Sequence, residues 1–127
     1  RNFNCMQEIN KISPDALLEM VREPWSPVII AGLNGQELKI ARFRGEFVWH
    51  LHEHEDEAFM VIEGAFDMHF RNKVVHLEKG EIIVVPKGTE HKPVAEQDAV
   101  VLLFEPIGTI NTGNTGGPFT REAEPVP

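Results

Sequence analysis

The sequence predicts an all-β fold, a small β-barrel or jelly roll with a short N-terminal helix and an extended C-terminal tail. Two observations predict it. From Val28 onward, apolar runs of strand length recur with no helical period between them, and clusters of Gly, Pro and Asn divide them at short intervals. Short strands at such spacing pack as a sandwich or a barrel. With 127 residues the chain can bury one core but not two, so it reads as one domain over 1–127. The barrel core is expected at about 28–105, the helix at about 14–22 and a C-terminal arm at 106–127.

Residues 1–12 show no clear period. Ser13-Pro14-Asp15 then reads as an N-cap, a proline at the first helical position and an acid in the first turn. Ala16, Leu17, Leu18, Met20 and Val21 continue a short helix to about Arg22, and Pro24 and Pro27 end it. Such a helix packs against the barrel and closes one end. Strands are expected at 28–33, 38–43, 47–51, 58–62, 65–70, 74–77, 82–85 and 100–104. Asn34-Gly35 is a two-residue hairpin turn, because both residues accept positive φ. The strands at 58–62, 82–85 and 100–104 are apolar on both faces, so one face fills the barrel and the other needs cover. A second sheet or a second copy of the chain is the expected cover, and a homodimer is expected. From Gly108 the tail is rich in Gly, Thr, Asn and Pro and reads as an arm or lid.

A hydrophobic fraction of 42% and a charged fraction of 25% are ordinary for a globular protein. No apolar run approaches the roughly 20 residues that cross a bilayer. The N-terminus lacks the basic, apolar, small-residue succession of a secretory signal, and a cytoplasmic location is expected. The single cysteine, Cys5, cannot form an internal disulfide, which fits a reducing compartment. A formal charge of −8 repels phosphate backbones and anionic lipid, so neither nucleic acid nor a membrane is an expected partner. The chain has no tyrosine, which excludes mechanisms that need a Tyr acid, base or radical.

The acidic charge gathers at Glu53, Glu55, Asp56 and Glu57, beside three histidines. In a strand, residues i and i+2 share a face, so His50 and His52 can present two imidazoles to one point. The polar turn after them can return Glu57 toward the pair, and Pro86-Lys87-Gly88 makes a turn that leads to His91. Three imidazoles and a carboxylate suit Fe, Mn, Co, Ni or Zn better than Ca or Mg. Taken singly, each has an ordinary reading: a surface or core histidine, or a solvated acid.

The combined spacing resembles the cupin superfamily, through both of its signature segments. The first stands here as Gly45, His50-Leu51-His52, four residues, Glu57, six residues and Gly64. The second stands as Gly80, five residues, Pro86-Lys87-Gly88, two residues and His91. The likeness covers roughly 28–105 and implies a metal held by His50, His52, Glu57 and His91. Two departures are present: the step from Gly45 to His50 is one residue short, and Ala95 stands where the second segment closes with Asn. His54 would make an alternative pair with His52, but only His50 and His52 keep the family spacing. His69 and His76 read as structural or surface residues.

Beyond the metal, Phe47, Phe59, Met68 and Phe104 are candidate linings of an apolar pocket for a small organic ligand, and Arg42 is a candidate partner for a substrate carboxylate. The end of the chain resembles small single-domain bacterial cupins loosely labelled mannose-6-phosphate isomerase-like, but no phosphate-binding loop is evident and that activity is not carried over. Four protein ligands leave open positions on a six-coordinate metal, which favours a non-haem metalloenzyme, an oxygenase or an isomerase. A non-catalytic sensor or binding module for a small molecule is the alternative.

Overall fold

A computed structural model describes residues 9–125; Cys5, and the redox reading placed on it, lies outside them. The first element is a 3₁₀ helix, Pro14–Met20. At seven residues it is longer than most 3₁₀ runs, which are usually about three or four residues. Ser13 stands at the N-cap position, but its side chain makes no capping bond; its carbonyl accepts from Ala16 N at 3.0 Å instead. The helix lies over the outside of the sheet, where Leu17, Leu18 and Val21 pack with Ile40, Ile62 and Val100, so it covers a face and does not close an end.

Seven strands follow: β1 Val28–Leu33, β2 Gln36–Glu46, β3 Glu57–Phe70, β4 Lys73–Glu78, β5 Ile82–Val85, β6 Lys92–Pro106 and β7 Glu124–Pro125. Asn34 and Gly35 both have positive φ, 51° and 74°, and make the tight β1–β2 turn. The expected strand at 47–51 does not form; His50 and His91 there make only an isolated bridge. The runs 58–62 and 65–70 are one strand, β3, bent across Gly64.

The sheet order is β4-β3-β6-β2-β1-β7, with β5 also on β3. This path does not return on itself, so the sheet is rolled but not closed into the expected barrel. Long β6 is its spine: its C-terminal half lies between β2 and the start of β3, and its N-terminal half pairs with the end of β3. Inside the roll, alternate residues Ala41, Phe43, Phe59, Val61, Val101 and Leu103 build the main core. Their neighbours Ile40, Ile62 and Val100 face the helix. Among the described residues, no helix is long and apolar enough to cross a membrane.

Candidate metal centre

His50 and His91 sit directly opposite one another. His50 N donates to His91 O at 3.0 Å and His91 N to His50 O at 2.9 Å, a reciprocal antiparallel pair that sends both side chains to one side. His52 follows two residues on in the connecting loop, where Gly88 N donates to its carbonyl at 2.8 Å and Lys87 N to Asp56 Oδ1 at 2.9 Å. The turn at Pro86-Lys87-Gly88 and the loop before β3 are thus tied together. The result is that His50, His52 and His91 are all buried, with one ring nitrogen from each lying within 4.8 Å of the others.

Two of these imidazoles have a settled orientation. His50 Nδ1 lies 2.8 Å from Val48 O and His91 Nδ1 lies 2.8 Å from Thr89 O. A carbonyl only accepts, so Nδ1 carries the hydrogen and Nε2 keeps its lone pair, as a metal ligand requires. Burial, aided by the neighbouring imidazole of His91, pushes His50 down to about 3, and burial pushes His91 down to about 4. Burial lowers His52 as well. All three are therefore neutral near pH 7.

Glu57 opens β3 and adds a carboxylate on one side of the cluster, with Oε1 at 3.2 Å from His52 Nε2 and 3.8 Å from His91 Nε2. The shorter approach has no hydrogen-bonding geometry: both ring nitrogens of His52, and His91 Nε2, are buried without a hydrogen-bond partner. His91 Nε2 turns its lone pair toward the carboxylate oxygen at 3.8 Å, and a cation placed between such groups would satisfy both. The donor set of imidazole nitrogens beside one carboxylate therefore fits a metal ion.

Behind Glu57 lies a group that motif spacing did not reveal. Glu105 and Lys39 are each 2% exposed, and Lys39 Nζ lies 2.7 Å from Glu105 Oε1 and donates to Thr109 O at 3.3 Å. Glu105 is pushed well above the ordinary carboxyl range by burial and by the neighbouring Glu57 carboxylate, and burial raises Glu57 too. Both shifts favour the protonated form of these carboxyls, and Lys39 Nζ sits between Glu105 and the fully buried Glu37, whose Oε1 is 3.9 Å away. The signal was strand parity: Lys39 shares a face with the inward Ala41 and Phe43.

A pocket adjoins the cluster, lined by Trp25, Phe43, Phe47, Phe59, His50 and Glu57 among others. Of the predicted lining, Phe47 and Phe59 are there. Met68 is fully buried in the core and is not part of the lining. Phe104 is 37% exposed on the outer face, because its inward neighbour Leu103 takes the pocket position. Arg42 is also turned outward. It donates to Val21 O at 2.6 Å, Leu18 O at 3.1 Å and Asp98 Oδ2 at 2.9 Å, capping the 3₁₀ helix, so it has no access to a substrate in the pocket. His54 is exposed in its turn, and His76 is bound on the surface to Asp67 and Glu78.

The arm after β6 braces the cluster from outside. Leu51, between the two histidines, donates to Asn114 Oδ1 at 3.0 Å and accepts from Asn114 N at 3.1 Å. Gly113 lies so close to Leu51 O that a Cβ could not be accommodated.

The sequence profile of the family described as "Cupin domain" matches residues 40–105. A Bacillus subtilis protein, described as uncharacterized protein YdbB, is 33% identical over 78 residues, spanning 61% of this chain and 69% of that protein. The crystal structure of a cupin-2 domain containing protein from Shewanella frigidimarina superposes with a TM-score of 0.73 at 39% identity, covering 75% of this chain and 93% of the other. The protein NMB1881 from Neisseria meningitidis superposes at 0.70 with 26% identity, covering 76% and 99%.

Proposed function

The chain belongs to the cupin domain family, and on that premise we propose that it is a small metal-dependent enzyme acting on a small organic molecule, an oxygenase or an isomerase. One observation supports this most strongly: three buried, neutral imidazoles converge within 4.8 Å, and the two with hydrogen-bonded Nδ1 atoms turn Nε2 to coordination. His50, His52 and His91 would hold the ion, with Glu57 as the fourth ligand, and Fe, Mn, Co, Ni and Zn are the candidates this donor set favours.

A divalent ion held there supplies Lewis acidity to an oxygen atom brought against it. The chain's own residues supply the rest. Burial favours the protonated form of Glu57 and Glu105 beside the cluster, Lys39 holds Glu105 in place, and the aromatic walls keep water from the approach. The outer sheet face supports a homodimer, since Ile82 and Val84 are about 60% exposed there (62% and 60%).

Elemental analysis of protein purified without chelator, beside His50→Ala, tests the centre. We expect one first-row metal per chain in the native protein. In the variant, affinity should fall by more than the roughly 10–100-fold that loss of a ligand's supporting contact costs. Equal metal content in a folded variant would remove the proposal. Turnover by the loaded protein then separates an enzyme from a metal-dependent binding module.

A further inference from the structure

The segment that carries His50 and His52 belongs to no strand, yet both of its edges are held. In extended chain, successive residues turn their backbone N–H and C=O groups to opposite edges. On one edge His50 exchanges two bonds with His91, and His52 O accepts from Gly88 N at 2.8 Å. On the other edge the partner is the C-terminal arm. Leu51 N donates to Asn114 Oδ1 at 3.0 Å, and Asn114 N donates to Leu51 O at 3.1 Å. Thr115 Oγ1 donates to Trp49 O at 2.9 Å. Asn114 and Thr115 thus take the place of a neighbouring strand.

The arm is itself fixed at this point. Gly113 N donates to Ile110 O at 2.9 Å and Thr115 N to Thr112 O at 3.0 Å, two overlapping turns on either side of Asn114. Upstream, Thr109 O accepts from the buried Lys39 Nζ at 3.3 Å, and Asn111 Nδ2 donates to Trp25 O at 3.2 Å and Phe119 O at 2.9 Å. Gly113 makes the close approach possible. It has φ 54°, and a Cβ there would run into Leu51 O and stand 3.3 Å from His50 Cδ2, the ring carbon next to Nε2. The arm therefore reaches the imidazole as well as the backbone that carries it. These residues lie beyond the family match, which ends at residue 105.

We propose that Asn114 and Thr115 are positioning residues for His50 and His52. Held at the His91 edge alone, the segment can roll about its own axis and carry both imidazoles off their common point. Bonds on the second edge remove that freedom, and a metal site needs its ligands held to within about 0.5 Å. The consequence for metal affinity rests on the metal-centre reading; the orientation of the rings does not.

The test compares three altered full-length chains with the native one. Asn114→Ala combined with Thr115→Val removes both side-chain bonds and keeps the backbone amide at position 114. Asn114→Asp combined with Thr115→Ser keeps an acceptor and a hydroxyl at the same places. Gly80→Ala, where nothing lies within reach of the added Cβ, controls for a general loss of stability. Imidazole nitrogen NMR of the metal-free chains near neutral pH reports the tautomer of His50, and competition with a chromophoric chelator reports zinc affinity. Native His50 should be a single tautomer with its hydrogen on Nδ1, as the 2.8 Å contact with Val48 O requires. In the Ala/Val chain the tautomers should mix and zinc affinity should fall at least about tenfold. The Asp/Ser chain and Gly80→Ala should match the native protein in both. Native ring signals in the Ala/Val chain, or an equal loss in either of the other two, would overturn the inference. If the native protein fails to hold zinc, the metal centre falls and the ring signals alone decide the positioning role. If the native and Ala/Val chains hold zinc equally tightly, the positioning role falls and the metal centre stands.

Discussion

Lys39 is 2% exposed, and its buried ammonium lies 2.7 Å from Glu105 and 3.9 Å from Glu37, the Glu105 contact being the shorter. Removing one partner of a buried pair leaves the other desolvated, a larger loss than the net worth of the pair. Lys39→Met should therefore destabilise the protein by roughly 3–5 kcal/mol in urea unfolding, and the double change Lys39→Met with Glu105→Leu should recover part of that. An unchanged midpoint for the single variant would show that the pair is neutral in the fold. The histidines make a second prediction, for the metal-free protein. His50 and His91 titrate at about 3 and about 4 in the fold, against about 6.5 in an unfolded chain. Between those limits the unfolded state binds more protons. The stability they contribute is thus fully present above pH 6.5 and is lost as pH falls toward 4. The raised carboxyls, Glu57 and Glu105, work in the opposite sense, so the comparison is between native protein and His50→Gln. Their stability difference should narrow steadily as the pH is lowered from 6.5 to 4, and a difference independent of pH would refute the assignment.

At the scale of elements, β3 changes partners along its length, and Gly64 is where it does so. Its first part lies between β5 and β6, its second between β4 and β6, and the register against β6 shifts on either side of the glycine. Gly64 has φ 77°, and a Cβ would run into Asp98 O and come within 3.1 Å of Ala99 Cα. Gly80, at φ 85°, has nothing within reach of an added Cβ. Both are left-handed, but only one is crowded. Gly80→Ala should cost about 1–2 kcal/mol for backbone strain alone. Gly64→Ala should cost that and a further 1–3 kcal/mol or so for forcing two strands apart. Thermal unfolding of the two variants gives the order, and equal losses would mean that close approach of β3 to β6 is not what demands glycine.

Among the described residues, the outer face of β3, β5 and β6 carries an apolar surface beyond the core. Cross-strand pairs Ala58↔Val84 and Met60↔Ile82 on β3 and β5 continue to Phe104 and Leu102 on β6, and the 3₁₀ helix covers only the neighbouring part of that face. Light scattering should report twice the chain mass of 14.4 kDa, and Val84→Glu should return the protein to monomer without loss of its fold. A monomeric native protein would remove the dimer. The division between sequence and structure follows from the same strands. Apolar runs and turn residues determined that the chain is built of β-strands and where β1 and β5 lie. The order His50, His52, Glu57 and His91 singled out residues of which the fold draws the three histidines together. Alternation says which residues share a face, as Arg42 does with Arg44 and Phe104 with Leu102, but it does not say which face is inside. That was decided by β6 lying between β2 and β3, strands far from it along the chain, as Ala41 opposite Val101 and Ala58 opposite Phe104 show. Only this long-range contact turned Lys39 and Glu105 inward, sent Arg42 to the helix and left Phe104 in solvent, because the interior is defined by which strands meet and not by any one strand.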